Sequence, residues 1–486
     1  MRVLHIASEA VPFAKTGGLA DVAGTLPREL SSQGIESALI LPLYNEVKQS
    51  AKDLVSTGIE LSVPVGDAPR TGTLWRGKIP GSNVPAYFVQ RDEYFGRAGI
   101  YGNGREDYPD NSERYVFFCR AALEAVRALA LKFDVVHAHD WQTALIPVYL
   151  KTTHAKDKVL QAAKSVLSIH NISYQGVFWH WDMKLTGLEW SLFNWKQLEF
   201  YGKVNFLKGG LVFADAITTV SETYAREIQT PEFGCGLEGV LSDRAKDLTG
   251  ILNGVDYAVW SPEVDPHIAV KYSAAKPAGK EKCKSQLQKK CGLPDDPKAP
   301  LVGMITRLVD QKGIDLVAAA MDGLLNEGVQ IVLLGTGEDR YHKIFGDIAA
   351  RHKGRVSVYL VFNNALAHEI EAGSDMLLMP SRYEPCGLNQ IYSLRYGTIP
   401  IVRKTGGLAD TVIDTSPEGA DNGTSTGFVF REATPEAMLG AVKRAVTWFR
   451  RPKDWAKLIR NAMKQDWSWA RSAAAYARLY QQLVKR

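Results

Sequence analysis

Two cations five residues apart, Arg307 and Lys312, form the most chemically suggestive pair in the sequence. They follow a β-rich run at 301–306 and stand just before a helical pattern. A forked guanidinium, an ammonium and the amides of a helix start together suit a diphosphate. Singly, each would be an ordinary solvated cation; the shared strand-end position favours phosphate. Lys15, just ahead of Gly17 and Gly18, repeats that grammar after the first predicted strand. Glycines let backbone approach a ligand, and a helix N-terminus favours negative charge. The pattern is not a Walker loop, because GxxxxGK[ST] is absent. Nor does GxGxxG follow the first strand, which disfavours a dehydrogenase.

Other strand-end groups have chemical potential. Glu384, in Glu-Pro-Cys-Gly at 384–387, could accept sugar hydroxyls or stabilise an oxocarbenium-like charge. A lone Glu beside Pro also suits a simple turn, and Cys386 suits small-residue packing. His170-Asn171 closes another predicted strand. His137 and His139 can share one strand face, with Asp140 next to them. No third metal ligand stands at a recognisable spacing, and neither HExxH nor Asp-x-Asp occurs. A polar strand-end cluster is therefore expected there, and no metal or other cofactor.

These residues need elements to hold them. Strands are predicted at 3–7, 37–41, 86–90, 134–138, 165–169 and 216–220 in the first half. The second half gives 301–306, 330–334, 356–360, 376–379 and 398–402. Helical periodicity fills the intervals, as in Ile314, Val317, Ala318, Met321, Leu324 and Leu325, ended by Gly328. Alternating strands and helices mean an α/β protein with parallel sheets. Two excursions, 92–112 and 171–208, interrupt the first half. A Lys- and Pro-rich stretch, 271–300, is the linker candidate. The terminal segment from Trp469 to Arg486 is amphipathic and predicted to dock back on the first domain.

Open parallel sheets bind ligands beyond the carboxyl ends of their strands, so two polar rims facing each other would make a cleft. One repeat supports this. Lys-Thr-Gly-Gly-Leu-Ala-Asp at 15–21 recurs letter for letter at 404–410, and two equivalent Gly-Gly helix starts suit two phosphate- or sugar-facing loops.

Length and composition set the bounds. A chain of 486 residues exceeds one ordinary core, so two domains are expected. The net charge of +5 gives no reason to expect nucleic acid. No apolar run approaches a membrane span, and Arg2 with a short apolar run does not make a secretory signal. The five cysteines form no CxxC pair and read as reduced thiols of a cytoplasmic enzyme.

Six ordered motifs then carry a resemblance over nearly the whole chain. They are Lys-Thr-Gly-Gly-Leu-Ala-Asp-Val at 15–22, His-Ala-His-Asp-Trp at 137–141, His-Asn-Ile-Ser-Tyr-Gln-Gly at 170–176, Asn-Gly-Val-Asp at 253–256, Thr-Arg-Leu with Gln-Lys-Gly across 306–313, and Ser-Arg-Tyr-Glu-Pro-Cys-Gly-Leu at 381–388. The set resembles the glycogen/starch synthase family of glycosyltransferases. The resemblance implies the GT-B fold: an acceptor-side Rossmann-like domain over 1–255 plus 468–486, and a nucleotide-sugar domain over 256–467. It implies retaining, metal-free transfer from ADP-glucose to the non-reducing end of an α-1,4-glucan. It implies catalytic roles for His170, Arg307, Lys312 and Glu384. Donor contacts would come from Lys15, Gly17, Gly18, Asp21, Asn253, Phe362, Cys386, Gly387, Leu388, Thr405, Gly406 and Gly407, and sugar or acceptor contacts from Tyr94 and Asp140. Two positions depart from the pattern. Tyr392 breaks the Glu-x7-Glu theme of related transferases. Phe362 replaces a bacterial Tyr and resembles the starch-synthase form; its ring would stack on a nucleobase, leaving ADP and UDP both open. The rivals are a sucrose- or trehalose-type synthase with a small acceptor, and a non-catalytic glucan-binding protein.

Overall fold

The computed structural model describes residues 1–50, 53–104 and 106–485. Arg105, within the 92–112 excursion, and Arg486, at the end of the terminal segment, lie outside the described residues. Contacts divide the chain into two units. The first holds Met1–Val220, Ala225–Gly254 and the segment from Trp469 onward; the second holds Ser221–Tyr224 and Val255–Ser468.

The first unit carries strands β1 (Arg2–Ile6), β2 (Glu36–Pro42), β3 (Val55–Val65), β4 (Ala68–Lys78), β5 (Pro85–Gln90), β6 (Val135–His139) and β7 (Lys164–Ile169). Short strands β8 (Val177–Phe178), β9 (Glu199–Phe200) and β10 (Lys203–Asn205) form a small separate sheet. β11 (Ala216–Thr219) and β12 (Leu248–Gly250) complete the main sheet, ordered β12-β11-β7-β6-β1-β2-β5-β4-β3. Its central strands are parallel and buried on both faces, mostly apolar but with His5, His137 and His139 among their buried residues. The edge departs from the expected parallel pattern: β3 and β4 form an antiparallel hairpin against β5.

The amphipathic helix Trp469–Val484 packs within this unit. Trp469, Ala473, Tyr476, Tyr480 and Leu483 are buried in one cluster with Val3, Val22, Leu26 and Val135, and Leu479 is partly buried against it. A side chain at Gly254 would meet the backbone of Trp469, so glycine allows the close approach.

The second unit is a six-stranded parallel sheet of β13 (Leu301–Ile305), β14 (Gln330–Leu334), β15 (Val356–Tyr359), β16 (Met376–Met379), β17 (Ile399–Arg403) and β18 (Phe428–Phe430). Its order is β15-β14-β13-β16-β17-β18. The helix expected after β13 is broken into Ile314–Ala319 and Met321–Asn326. The linker expectation is corrected: residues 279–290 form a helix within the second unit. Its Leu287 joins the core, Lys284 pairs with Asp375 at 2.7 Å, and Lys280 bonds Ala372 and Thr398. Lysines that read as a solvated tether are buried and partnered.

Candidate functional site

In the second sheet, β13 is the strand flanked by β14 on one side and β16 on the other, the switch point at which α/β sheets take ligands. Arg307 emerges from its carboxyl end, exposed, with Nη2 donating to Gln311 Oε1 at 3.3 Å. A 3₁₀ turn, Asp310–Lys312, follows and ends at Gly313 with φ of 65°. A side chain at Gly313 would collide with the Pro380 carbonyl, so glycine lets the turn lie against the end of β16. That approach delivers Lys312 to Glu384: Nζ stands 2.5 Å from Oε2. Ser381 Oγ donates to the same oxygen at 3.0 Å. The Glu384 carboxylate is buried, so an unpartnered charge there would be costly and the ammonium answers it.

The glycines of the second repeat back this loop. Gly406 has φ of 43°, and Gly407 N donates to the carbonyls of Glu384 at 3.1 Å and Pro385 at 3.2 Å. A Cβ on Gly406 would strike the Glu384 carbonyl, and one on Gly407 the Cys386 carbonyl. Thr405 and Cys386 are buried, Gly387 has φ of 68°, and Leu388 precedes the helix Asn389–Tyr396. Phe362 is 88% exposed, its ring face open to stacking. Tyr392 lies in a parallel stack with Trp260, centroids 4.0 Å apart, and Trp260 stacks in turn on His368 at 3.7 Å. Position 392 serves packing here.

Ser221–Tyr224, just past β11, group by contacts with the second unit and not with the first. Ser221 Oγ donates to the Pro385 carbonyl at 2.7 Å, and Thr223 donates to Asp410 through its amide and hydroxyl.

In the first unit, β1 lies between β6 and β2, and the Gly-Gly loop follows it. Lys15 Nζ pairs with Asp21 at 2.7 Å, the two spanning the start of helix Gly18–Ser32. Gly17 and Gly18 are open: a Cβ on either meets nothing within 4 Å. Buried Glu9 shapes the loop by accepting from Thr16 N at 2.5 Å, Gly17 N at 3.1 Å and Thr16 Oγ1 at 2.9 Å. Tyr101 donates to Oε1, the oxygen that also accepts from Thr16 Oγ1, at 2.8 Å. Glu9 and Tyr101 both fall in the strand-end stretches 9–18 and 91–101 that the sequence marks out, but nothing in the sequence pairs one with the other.

Asp140 and His170 come together. Asp140, at φ of 55°, accepts from the His170 amide at 2.7 Å, joining the ends of β6 and β7. Burial pushes its carboxyl up to about 8. The third histidine that spacing did not reveal is His5, opposite His137 in the β1–β6 register. One ring nitrogen from each of His5, His137 and His139 lies within 4.8 Å of the other two. Both nitrogens of His137 are engaged, at 2.7 Å each, by Tyr480 and Ser168. His139 Nδ1 stands 3.1 Å from His170 Nε2. The arrangement is a hydrogen-bonded core in which burial lowers every imidazole, His5 and His170 to about 3.

Asn253 is buried with its carbonyl oxygen unpartnered. Tyr94 is also buried: its hydroxyl donates to Glu113 at 2.5 Å, and Arg91 lies 4.8 Å over its ring. In this state it packs the loop rather than presenting a face.

Two Rossmann-like units with diphosphate-suited groups at a sheet switch point define a GT-B glycosyltransferase. Comparison with known proteins agrees. A family described as starch synthase catalytic domain matches residues 2–243, and glycosyl transferases group 1 matches residues 286–465. A glycogen synthase of Syntrophotalea carbinolica is 47% identical over 100% of this chain and 99% of its own length. One from Anaeromyxobacter dehalogenans is 48% identical over the full length of both. Among solved structures, the catalytic domain of starch synthase IV from Arabidopsis thaliana, bound to ADP and acarbose, is 35% identical with a TM-score of 0.91, covering 100% of this chain and 99% of that one. Sucrose-phosphate synthase from Thermosynechococcus elongatus, at 17% identity and a TM-score of 0.59 over the full length of both chains, shares the fold alone. The chain belongs to the glycogen synthase family. Among the described residues, no helix is long and apolar enough to cross a membrane.

Proposed function

We propose that this enzyme transfers glucose from ADP-glucose to the non-reducing end of an α-1,4-glucan, with retention and without a metal ion. The observation that carries the reading is the Lys312–Glu384 pair, 2.5 Å apart beside Arg307 at the β13 rim. The bond from glucose C1 to the diphosphate oxygen breaks while the acceptor 4-hydroxyl bonds to C1 from the same face. The acceptor proton passes to the departing phosphate oxygen. Arg307 and Lys312 stabilise the charge gathering on the diphosphate, which is worth most where groups are preorganised. Glu384 binds the glucose hydroxyls. Its salt bridge to Lys312 and hydrogen bond from Ser381 support a ligand role, because a carboxylate so engaged is a weak nucleophile. Exposed Phe362 takes the nucleobase, and Lys15 with its open glycines is a second anion-facing helix start.

The test offers radiolabelled ADP-glucose and UDP-glucose separately, with a glucan primer and excess EDTA. Label entering polymer from ADP-glucose is expected. Transfer only from UDP-glucose, only to small sugars, or only with added metal would overturn the corresponding part. A glucosyl-enzyme trapped on Glu384 would overturn same-face transfer.

A further inference from the structure

The excursion between β7 and β11 exposes aromatic surface that the proposed chemistry does not use. Trp179 is 62% exposed, Trp181 46% and Trp190 44%. They are contiguous, with centroids 6.3 Å apart between Trp179 and Trp181 and 5.6 Å between Trp181 and Trp190. Interplanar angles of 63° and 77° set the rings edge to face, so no ring is covered by a parallel neighbour. Lys184 lies 4.9 Å over Trp181. The row is continuous with the strand-end site of the same unit. Trp141, beside Asp140, contacts Phe178 edge-on at 5.5 Å, and Trp179 is the next residue.

Exposed contiguous aromatics mark a binding surface. Pyranose rings present apolar C–H faces edged by hydroxyls, which suit flat indoles interleaved with polar groups. A track leading outward from an acceptor site fits a long acceptor. We propose that Trp179, Trp181 and Trp190 form an auxiliary docking track for polymeric α-1,4-glucan, holding the chain beyond the glucose units at the reaction site. This rests on the glucan-acceptor reading above. The track raises the local concentration of non-reducing ends without touching the reacting atoms.

The test compares wild type with the Trp179→Ala/Trp181→Ala double variant by native electrophoresis in glycogen-containing gels, and by kinetics with glycogen and with maltotriose. Loss of one arm of a multivalent contact should weaken glycogen retention and raise the KM for glycogen by about tenfold. With maltotriose, kcat and KM should stay within about twofold. Trp181→Phe, which keeps an aromatic face, should retain glycogen better than Trp181→Ala. Unchanged retention in the double variant, equal losses with both acceptors, or an altered elution volume on gel filtration would overturn the track. Retention is read without donor, so an enzyme that binds glycogen through these indoles yet transfers nothing from ADP-glucose would sink only the proposed reaction.

Discussion

The two copies of Lys-Thr-Gly-Gly-Leu-Ala-Asp are identical in letters and opposite in use. At 15–21, Gly17 and Gly18 border open space, a 15-residue helix follows, and Lys15 and Asp21 hold each other. At 404–410, Gly406 and Gly407 are pressed on the carbonyls of Glu384 and Cys386, the helix runs six residues, and Asp410 binds Thr223. The first pair of glycines leaves room for a ligand; the second leaves none and holds the loop that carries a proposed ligand residue. Sequence identity therefore gave local conformation, strand then helix start, but not what stands opposite the glycines.

The comparison breaks most visibly at Gly407. Its alanine variant must push a Cβ into a backbone carbonyl that cannot move aside, so a loss of about 3–5 kcal/mol is expected in denaturant titration. Stability within about 0.5 kcal/mol of wild type would show the loop to be soft.

Proton binding separates the regions next, because the first unit holds the buried network of His5, His137, His139 and His170. His170 falls from an ordinary 6.5 to about 3 on burial, so the unfolded chain binds its proton first as pH drops. Its stabilisation is full above pH 6.5 and declines toward the folded value, by about 2 kcal/mol between pH 6.5 and 5. Hydrogen exchange should show the first unit loosening before the second; simultaneous loosening would count against it.

The lysines should then differ in function. Lys15→Ala is expected to lower kcat/KM about 10–100-fold, the scale of one lost charged hydrogen bond, and exposed Lys404→Ala far less. Equal losses would erase the distinction. The smallest structural effect belongs to Gly17→Ala. Its backbone is extended and its Cβ unopposed, so Tm should shift by no more than about 1 °C while the KM for donor rises.

Most of the parallel framework was legible because its strands are apolar runs bounded by glycine and polar punctuation. The β3–β4 hairpin escaped because an exposed edge, with Gly58, Glu60, Pro64 and Arg70 in it, carries little hydrophobic signal. The false linker at 271–300 arose because composition cannot tell a solvated lysine from Lys284, whose ammonium is buried against Asp375. At the site, the groups at strand ends were found through topology and resemblance. His5 was not, since its role depends on a partner as far away in sequence as His139.

The most direct measurement is single-turnover transfer from ADP-glucose by Arg307→Ala, checked for retained fold by circular dichroism. Arg307 is exposed, its guanidinium donating to Gln311 at 3.3 Å. If positive charge at the β13 rim drives departure of the diphosphate, the rate falls about 10²–10³-fold while the fold survives. Wild-type turnover in the folded variant would contradict it.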